Sequence, residues 1–312
     1  MSERFWTSDF EIDDGTILVK KTGARISPNL SLVHDVFTWF CFYFFAQSWR
    51  TLRFITGYKR PTIAFYPDKP RPWYFIWPVM HVSGAKLIDS PEKADIVMQF
   101  DDSTETNNVV PKIRDDAVRV NFGCRDISKT AVAKAFEAAA GYSLAVDPTT
   151  YSGHMVEKSE LNAAHDGQIL EGPIAHPVEG KSYQRLIDNE ISGGLVEDLR
   201  CCVVAGRPII VFRKRRALER RFLNENAEVI LDTVENCYSA DEMDVIERFA
   251  NEIGLDWGGV DVLRDRSSGK IFIVDANKTD MGPPVALNLG AKLRATRRMA
   301  RAFAEAFAFK RR

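Results

Sequence analysis

Two aspartates near the C-terminal end of the chain sit where carboxylates need a reason. Asp261 in GGVDVLRD and Asp275 in IFIVDAN are both flanked by apolar residues, and a buried carboxylate is costly unless it is paired, hydrogen-bonded or bound to a metal. Side chains two apart on a strand share a face, so Asp275 and Asn277 project together. A hairpin about RSSG would bring Asp261 beside them. Three oxygen donors would then converge. Such a set suits Mg²⁺, which takes one or two carboxylates and completes its shell with water and substrate phosphates. The alternative is a set of structural acids held by hydrogen bonds or ion pairs. Cations lie upstream: Lys129 opens a helical pattern after RDIS, and Lys158 lies in the strand-like GHMVEKSE. Ammonium groups are compact charges suited to phosphate oxygens, although each lysine taken singly also fits a solvated surface. The turn NAAHDG carries neither GxGxxG nor the Walker pattern, so it is a weak phosphate-loop signal.

Other chemistries find little support. Cys41, Cys124, Cys201, Cys202 and Cys237 are odd in number and show no CxxC spacing, and the histidines at 34, 81, 154, 165 and 176 form no HExxH. Neither a disulfide framework nor a zinc site is expected.

The elements that must position these residues alternate from Pro61 onward. TIAFYP, AKLIDS, ADIVMQFDD and VRVNFG read as strands, WYFIWPVMHVSG as a helix around Pro78, and KTAVAKAFEAAAG as a helix closed by Gly141. That pattern predicts a small open sheet. From Tyr142 the grammar becomes antiparallel: GHMVEKSE pairs with QILEG, and LVEDLRCCVVAGRPIIVFRK gives two β-rich runs joined at Ala205-Gly206-Arg207. Ser239 with Glu242 makes a capping box for a helix that Gly254 stops, and WGGVDVLRD with KIFIVDAN forms the final strand pair before the helix LRATRRMARAFAEAF. The fold class is therefore mixed α/β and α+β.

Lys and Arg total 42 against 43 Asp and Glu, a net charge of −1 over 312 residues. The balance removes any global reason to expect nucleic acid as a partner. Nine aromatic residues fall between Phe37 and Phe54. The run VFTWFCFYFFA is well short of the roughly 20 apolar residues of a membrane-spanning helix, and the charged N-terminus does not read as a secretory signal. A cytoplasmic protein is expected. Residues 36–55 are read as buried between domains, as a homodimer contact, or as a peripheral membrane contact helped by Arg50, Arg53, Lys59 and Arg60.

The ordered series RDISKTAVAKAFEAAAGYSLAVDP, MVEKSELNAAHDG, SYQRLID, EDLRCCVVAGRPI, RRFLNEN, GLDWGGVDVL and IFIVDAN, spanning about residues 120–285, resembles the ATP-grasp superfamily. Within it the resemblance is to peptide-glutamate ligases and glutathione-synthetase-like ligases. It implies a Rossmann-like N-terminal domain (60–128, after an aromatic-rich extension over 1–59) and two α+β subdomains, a small one (129–187) and a large one (188–312), that clamp ATP. By position, Lys129 and Lys158 resemble the phosphate-binding lysines, and Arg185 and Leu186 the hinge whose backbone meets adenine. Asp198 resembles the acid near the ribose. Arg200 and Arg221 resemble arginines at the reacting phosphate, with Asn224 beside them, and Asp261, Asp275 and Asn277 the Mg²⁺ ligands, with Mn²⁺ as an alternative ion. Asp275 stands where the family more often has Glu, the loop lacks the usual glycine pair, and Lys278 adds a cation expected to reach phosphate or acceptor. The implied activity is ligation of a carboxylate to an amine or thiol through an acyl phosphate, on small-molecule or peptide substrates. A small-molecule kinase and a non-catalytic ATP-binding protein are the alternatives.

Overall fold

The chain enters through a small antiparallel sheet of β1 (Phe10–Asp13), β2 (Thr16–Val19) and β3 (Ala24–Ile26), followed by the helix α1 (Leu30–Ile55). The computed structural model describes all residues except 1–9, 14, 21–23, 27–29, 56–60, 108, 163, 165, 223–226 and 309–312. Lys59, Arg60 and Asn224 thus lie outside the described residues.

Strands β4 (Thr62–Pro67), β5 (Lys86–Leu87), β6 (Ile96–Phe100) and β7 (Val118–Val120) form the expected open sheet, in the order β5-β4-β6-β7 with every pair parallel. Between β4 and β5 runs α2 (Ile76–Ser83), all of whose residues are buried. Pro78 sits in its first turn, where an amide N–H would have no intrahelical partner anyway. Asn121, at the end of β7, is fully buried and joins this sheet to the rest of the protein. Its side chain donates to the carbonyls of Trp257 and Lys278 and accepts from the amides of Asp256 and Trp257.

Helix α3 (Lys129–Ala140) starts where Ser128 accepts from the Ala131 amide and ends at left-handed Gly141. Strands β8 (Gly153–Ser159), β9 (Gln168–Gly172) and β10 (Lys181–Arg185) then make a three-stranded antiparallel sheet with β8 central. The larger sheet contains β11 (Glu190–Ile191), β12 (Leu195–Val204), β13 (Arg207–Ala217), β14 (Glu228–Asp232), β15 (Trp257–Arg264) and β16 (Ile271–Asn277). Its order is β14-β13-β12-β15-β16, with β11 on β12 and all pairs antiparallel. The β12–β13 turn at Ala205 and Gly206 has positive φ at both positions, as a tight two-residue hairpin requires. A short helix α4 (Val234–Cys237) precedes α5 (Ala240–Glu252), which opens with the full Ser239–Glu242 capping box, and α6 (Leu289–Phe303) runs on into a π-helical turn over Ala304–Ala308.

Alternation along β12 decides what each face of the large sheet does. Leu199, Cys201 and Val203 point one way, packing with Val211, Val260 and Val262 against Val132 and Phe136 of α3 and Ile246 and Phe249 of α5. Cys202 and Val204 point the other way, into a core with Phe212, Trp257, Phe75 and Phe303 that unites the sheet with α2 and α6. Asp198 and Arg200 share this second face but lie beyond that core, so half of one face is core and half is free for chemistry.

The aromatic segment is neither wholly interior nor detached. Phe42 and Ala46 of α1 are buried, and Tyr43 stacks on Trp77 of α2 with ring centroids 5.2 Å apart. The opposite side of α1 leaves Val33, Phe37, Phe40 and Phe44 exposed.

Candidate functional site

The three-stranded sheet faces the polar half of the large sheet across a cleft of about 200 Å³, partly open to solvent. Lys129, Lys158, Arg185, Leu186, Asp198, Arg221, Asp261 and Asp275 all line it. Residues spread over nearly 150 positions in sequence thus meet in one place.

Cross-strand pairing builds the floor. Arg200 on β12 lies directly opposite Asp261 on β15, and Asp261 lies opposite Asp275 on β16. A bulge follows, with Val262 pairing Ile273 so that Val274 is the extra residue; bulges locally re-aim side chains beside functional sites. The guanidinium of Arg200 donates to Asp261 and to Asp280, both at 2.7 Å. Gly259 makes room for it, since a Cβ there would lie 2.5 Å from Arg200 Nε and 2.7 Å from Asp280 Oδ2. Burial opposes ionisation of Asp261, yet the charge of Arg200, helped by Lys214 and Arg216, holds its pKa down at about 2. It is a carboxylate at any physiological pH.

Lys129, at the first position of α3, donates to Asp275 Oδ1 at 2.6 Å. Lys158 reaches from β8 on the small sheet to the Val274 carbonyl at 3.3 Å. Burial, reinforced by the neighbouring charge of Lys129, pushes the Lys158 pKa down to about 8.

At the far end, the segment linking the two sheets is knit to the floor. Arg221 donates to the Ile187 carbonyl and to Asn189 Oδ1, both at 2.8 Å. Asn189 donates to Asp198 Oδ1 at 3.0 Å, and Arg216 donates to Asp198 Oδ2 at 2.6 Å. Burial raises the Asp198 pKa against the opposing pull of Arg216. Phe222 packs over the loop after β8, where a Cβ on Gly167 would come within 2.8 Å of its ring.

A metal fits the floor on one specific ground. Asp261 Oδ2 is taken by Arg200, but its Oδ1 is buried with no hydrogen-bond partner, and an unsatisfied carboxylate oxygen is expensive. Mg²⁺ commonly uses one or two carboxylates, which Asp261 and Asp275 supply. No group of three or more His, Cys, Asp or Glu residues arranged for a metal occurs among the described residues. Asn277 follows Asp275 on β16 but does not line the cleft, and its Oδ1 accepts from the Thr279 amide at 3.0 Å.

One expectation is corrected outright. Lys278 does not stand in the cleft: it is 1% exposed and pairs with Asp101 at 3.3 Å and with Thr106. The strand ends at Asn277, and the next side chain is taken by acceptors beyond the parallel sheet. Arg200 also differs from a free phosphate contact, because both of its terminal nitrogens are held by carboxylates.

No protein-family profile matches the sequence, and no curated protein matches it. Among solved structures, the ATP-grasp ligase PsnB, complexed with a phosphomimetic variant of its minimal precursor, Mg and ADP, aligns with a TM-score of 0.50 at 14% identity. The alignment covers 80% of this chain and 99% of that one. This chain has the ATP-grasp fold. A RimK-domain ATP-grasp protein from Sphaerobacter thermophilus aligns over 79% of this chain and 99% of its own at 12% identity, with a TM-score of 0.46.

Several residues of the ATP-grasp cleft are invisible to motif reading. Lys214 and Arg216 of β13 line it, yet in sequence they vanish into the run RKRRALERR; the alternation of β13, with Lys214 opposite Asp198, is the signal that singles them out. Gln184 and Asn189 flank the hinge and also line the cleft. The buried Nε2 of Gln184 has no hydrogen-bond partner.

Proposed function

We propose that this protein is an ATP-dependent ligase that joins a carboxylate to an amine or thiol and releases ADP and phosphate. The observation that carries the reading is the juxtaposition across one cleft of Lys129, Lys158, Arg185, Lys214, Arg216 and Arg221 with the carboxylate pair Asp261 and Asp275. A polyphosphate needs distributed cations, and its bound metal needs hard oxygen donors. The PsnB structure holds Mg and ADP with a variant of its minimal precursor, which supports a nucleotide substrate here.

In the reaction a substrate carboxylate oxygen attacks the γ-phosphorus of ATP, the bond to the bridging oxygen breaks, and ADP departs. The acyl phosphate is then attacked at its carbonyl carbon by the amine or thiol, which loses a proton as phosphate leaves. Asp261 and Asp275 are the residues that would hold Mg²⁺, which would supply neutralisation of phosphate charge. The protein supplies position and charge rather than a covalent nucleophile. Lys158 and Lys129 bracket the phosphate end of the cleft, while Asp198, bonded to Asn189, sets the nucleoside end beside the hinge at Arg185 and Leu186; Arg221, expected at the reacting phosphate, is tied to Ile187 and Asn189 and would reach phosphate only from that end. Arg200 acts through Asp261 as a positioning residue, fixing one carboxylate oxygen and leaving the other available.

Release of ADP over a panel of carboxylates and amines, with Asp275→Ala as the control at matched Mg²⁺, tests the proposal. The variant is expected to lose turnover completely. Retained turnover would sink the metal assignment, and a stable phosphorylated product in place of free phosphate and a new amide or thioester would make the protein a kinase.

A further inference from the structure

The cleft leaves α1 unexplained. Its 26 residues extend about 39 Å at 1.5 Å per residue, and one side is fixed to the protein through Phe42, Ala46 and the Tyr43–Trp77 stack. The other side exposes Val33, Phe37, Phe40 and Phe44 at spacings of four, three and four, with Ile55 in line and Val36 and Leu52 flanking. Phe37 is 67% exposed and Phe44 63%. Rotating the helix to hide this face would pull Phe42 and Ala46 out of the core.

Two observations choose the occupant. At 100° per residue, Val36 to Leu52 spans an arc of roughly 160°, broader than the narrow seam of a paired coiled coil and interrupted by Ser48 and Thr51. Helix α6, which α1 touches, carries Arg294, Arg297, Arg298 and Arg301, all exposed, although Arg301 also pairs with Glu305. The sequence adds Arg50 and Arg53 in the last turns of α1 and Lys59 and Arg60 just after it. In a chain of net charge −1, the helix that α1 touches thus carries a run of exposed arginines, and the sequence places further cations at and just after the end of α1. A second copy brought onto that face would set the two cationic groups near each other, whereas an anionic lipid surface offers hydrocarbon to the phenylalanines and headgroups to the arginines. No helix is long and apolar enough, among the described residues, to cross a membrane.

We propose that α1 lies along an anionic membrane surface with Phe37, Phe40 and Phe44 inserted at the headgroup boundary, holding the ATP-grasp cleft at the bilayer. The inference does not depend on the ligase reading, because it rests on a face remote in sequence from the cleft residues.

The test is co-sedimentation of the full chain with vesicles of phosphatidylcholine, with and without phosphatidylserine, at two salt concentrations. The wild type is expected to sediment with the phosphatidylserine vesicles and to be released by salt. The double substitution Phe37→Glu and Phe44→Glu, and separately Arg297→Glu with Arg298→Glu, should each weaken binding on the order of tenfold or more. All four side chains are exposed, and an unchanged thermal unfolding midpoint verifies the fold of each variant. Absence of wild-type binding to either vesicle, or binding unaffected by both pairs of substitutions, overturns the proposal. So does a wild-type dimer by light scattering that Phe37→Glu with Phe44→Glu converts to monomer while vesicles bind neither form.

Discussion

Replacing Lys158 with Met should make the protein more stable and unable to bind nucleotide tightly. The charged lysine is held in a partly buried place beside Lys129, and in the free protein that placement is unfavourable; under the proposed function a bound polyphosphate would offset it. Its pKa falls from an ordinary 10.5 to about 8, which at about 1.4 kcal/mol per pH unit corresponds to a penalty of roughly 3 kcal/mol on the charged form. The folded pKa lies below the unfolded one, so between about pH 8 and 10.5 the unfolded chain binds more protons and wild-type stability rises with pH. Below about pH 8 the full penalty is present. Methionine keeps the unbranched apolar stem and removes the charge, so Lys158→Met should gain up to roughly 3 kcal/mol near neutral pH, less whatever the bond to the Val274 carbonyl contributes. The gain should shrink towards zero as the pH approaches about 10.5. Urea denaturation of both proteins at neutral pH and near pH 10 measures it, and calorimetric titration with ATP and Mg²⁺ measures the loss of affinity. A variant no more stable than wild type at neutral pH, or a difference independent of pH, would refute the reasoning. Nucleotide should reverse the order, raising the wild-type unfolding midpoint but not that of the variant.

Arg200→Met removes the counter-ion of buried Asp280 and of partly buried Asp261, and should cost about 3 kcal/mol or more by chemical denaturation; a cost under about 1 kcal/mol would mean that these acids are stabilised by something else. Asn121→Ala deletes four hydrogen bonds to residues 256, 257 and 278. Leaving those buried backbone groups unpaired should destabilise the protein by roughly 3 kcal/mol or more, with hydrogen exchange at Asp256 and Trp257 accelerating in step.

Local signals were sufficient for most elements. Ser128 and Gly141 bracket α3, the Ser239–Glu242 box opens α5, and the alternation in DLRCCVV marks a strand whose two faces differ, because capping and pleat geometry act within a few residues. The aspartate pair was legible for the same reason: apolar runs around Asp261 and Asp275 advertise carboxylates that need a partner. The fate of Lys278 was not legible. Adjacent to Asn277, it looked like a cation for the cleft, yet its acceptors, Asp101 and Thr106, are more than 170 positions away in the chain. The role of Lys214 and Arg216 was hidden in a basic run until β13 paired with β12.

What this sequence determines by itself is the order of strands and helices and the residue types available for phosphate and metal chemistry, since propensity, capping and periodicity are short-range. Tertiary structure decided which charges meet which. It set Arg200 against Asp261 and Asp280, gave Asp275 to Lys129, and left one oxygen of Asp261 without a partner. It also decided that α1 commits Phe42 to the core while Phe37 and Phe44 stay outside. Ion pairing and burial depend on distances between residues remote in the chain, and those distances exist only once the sheets have packed.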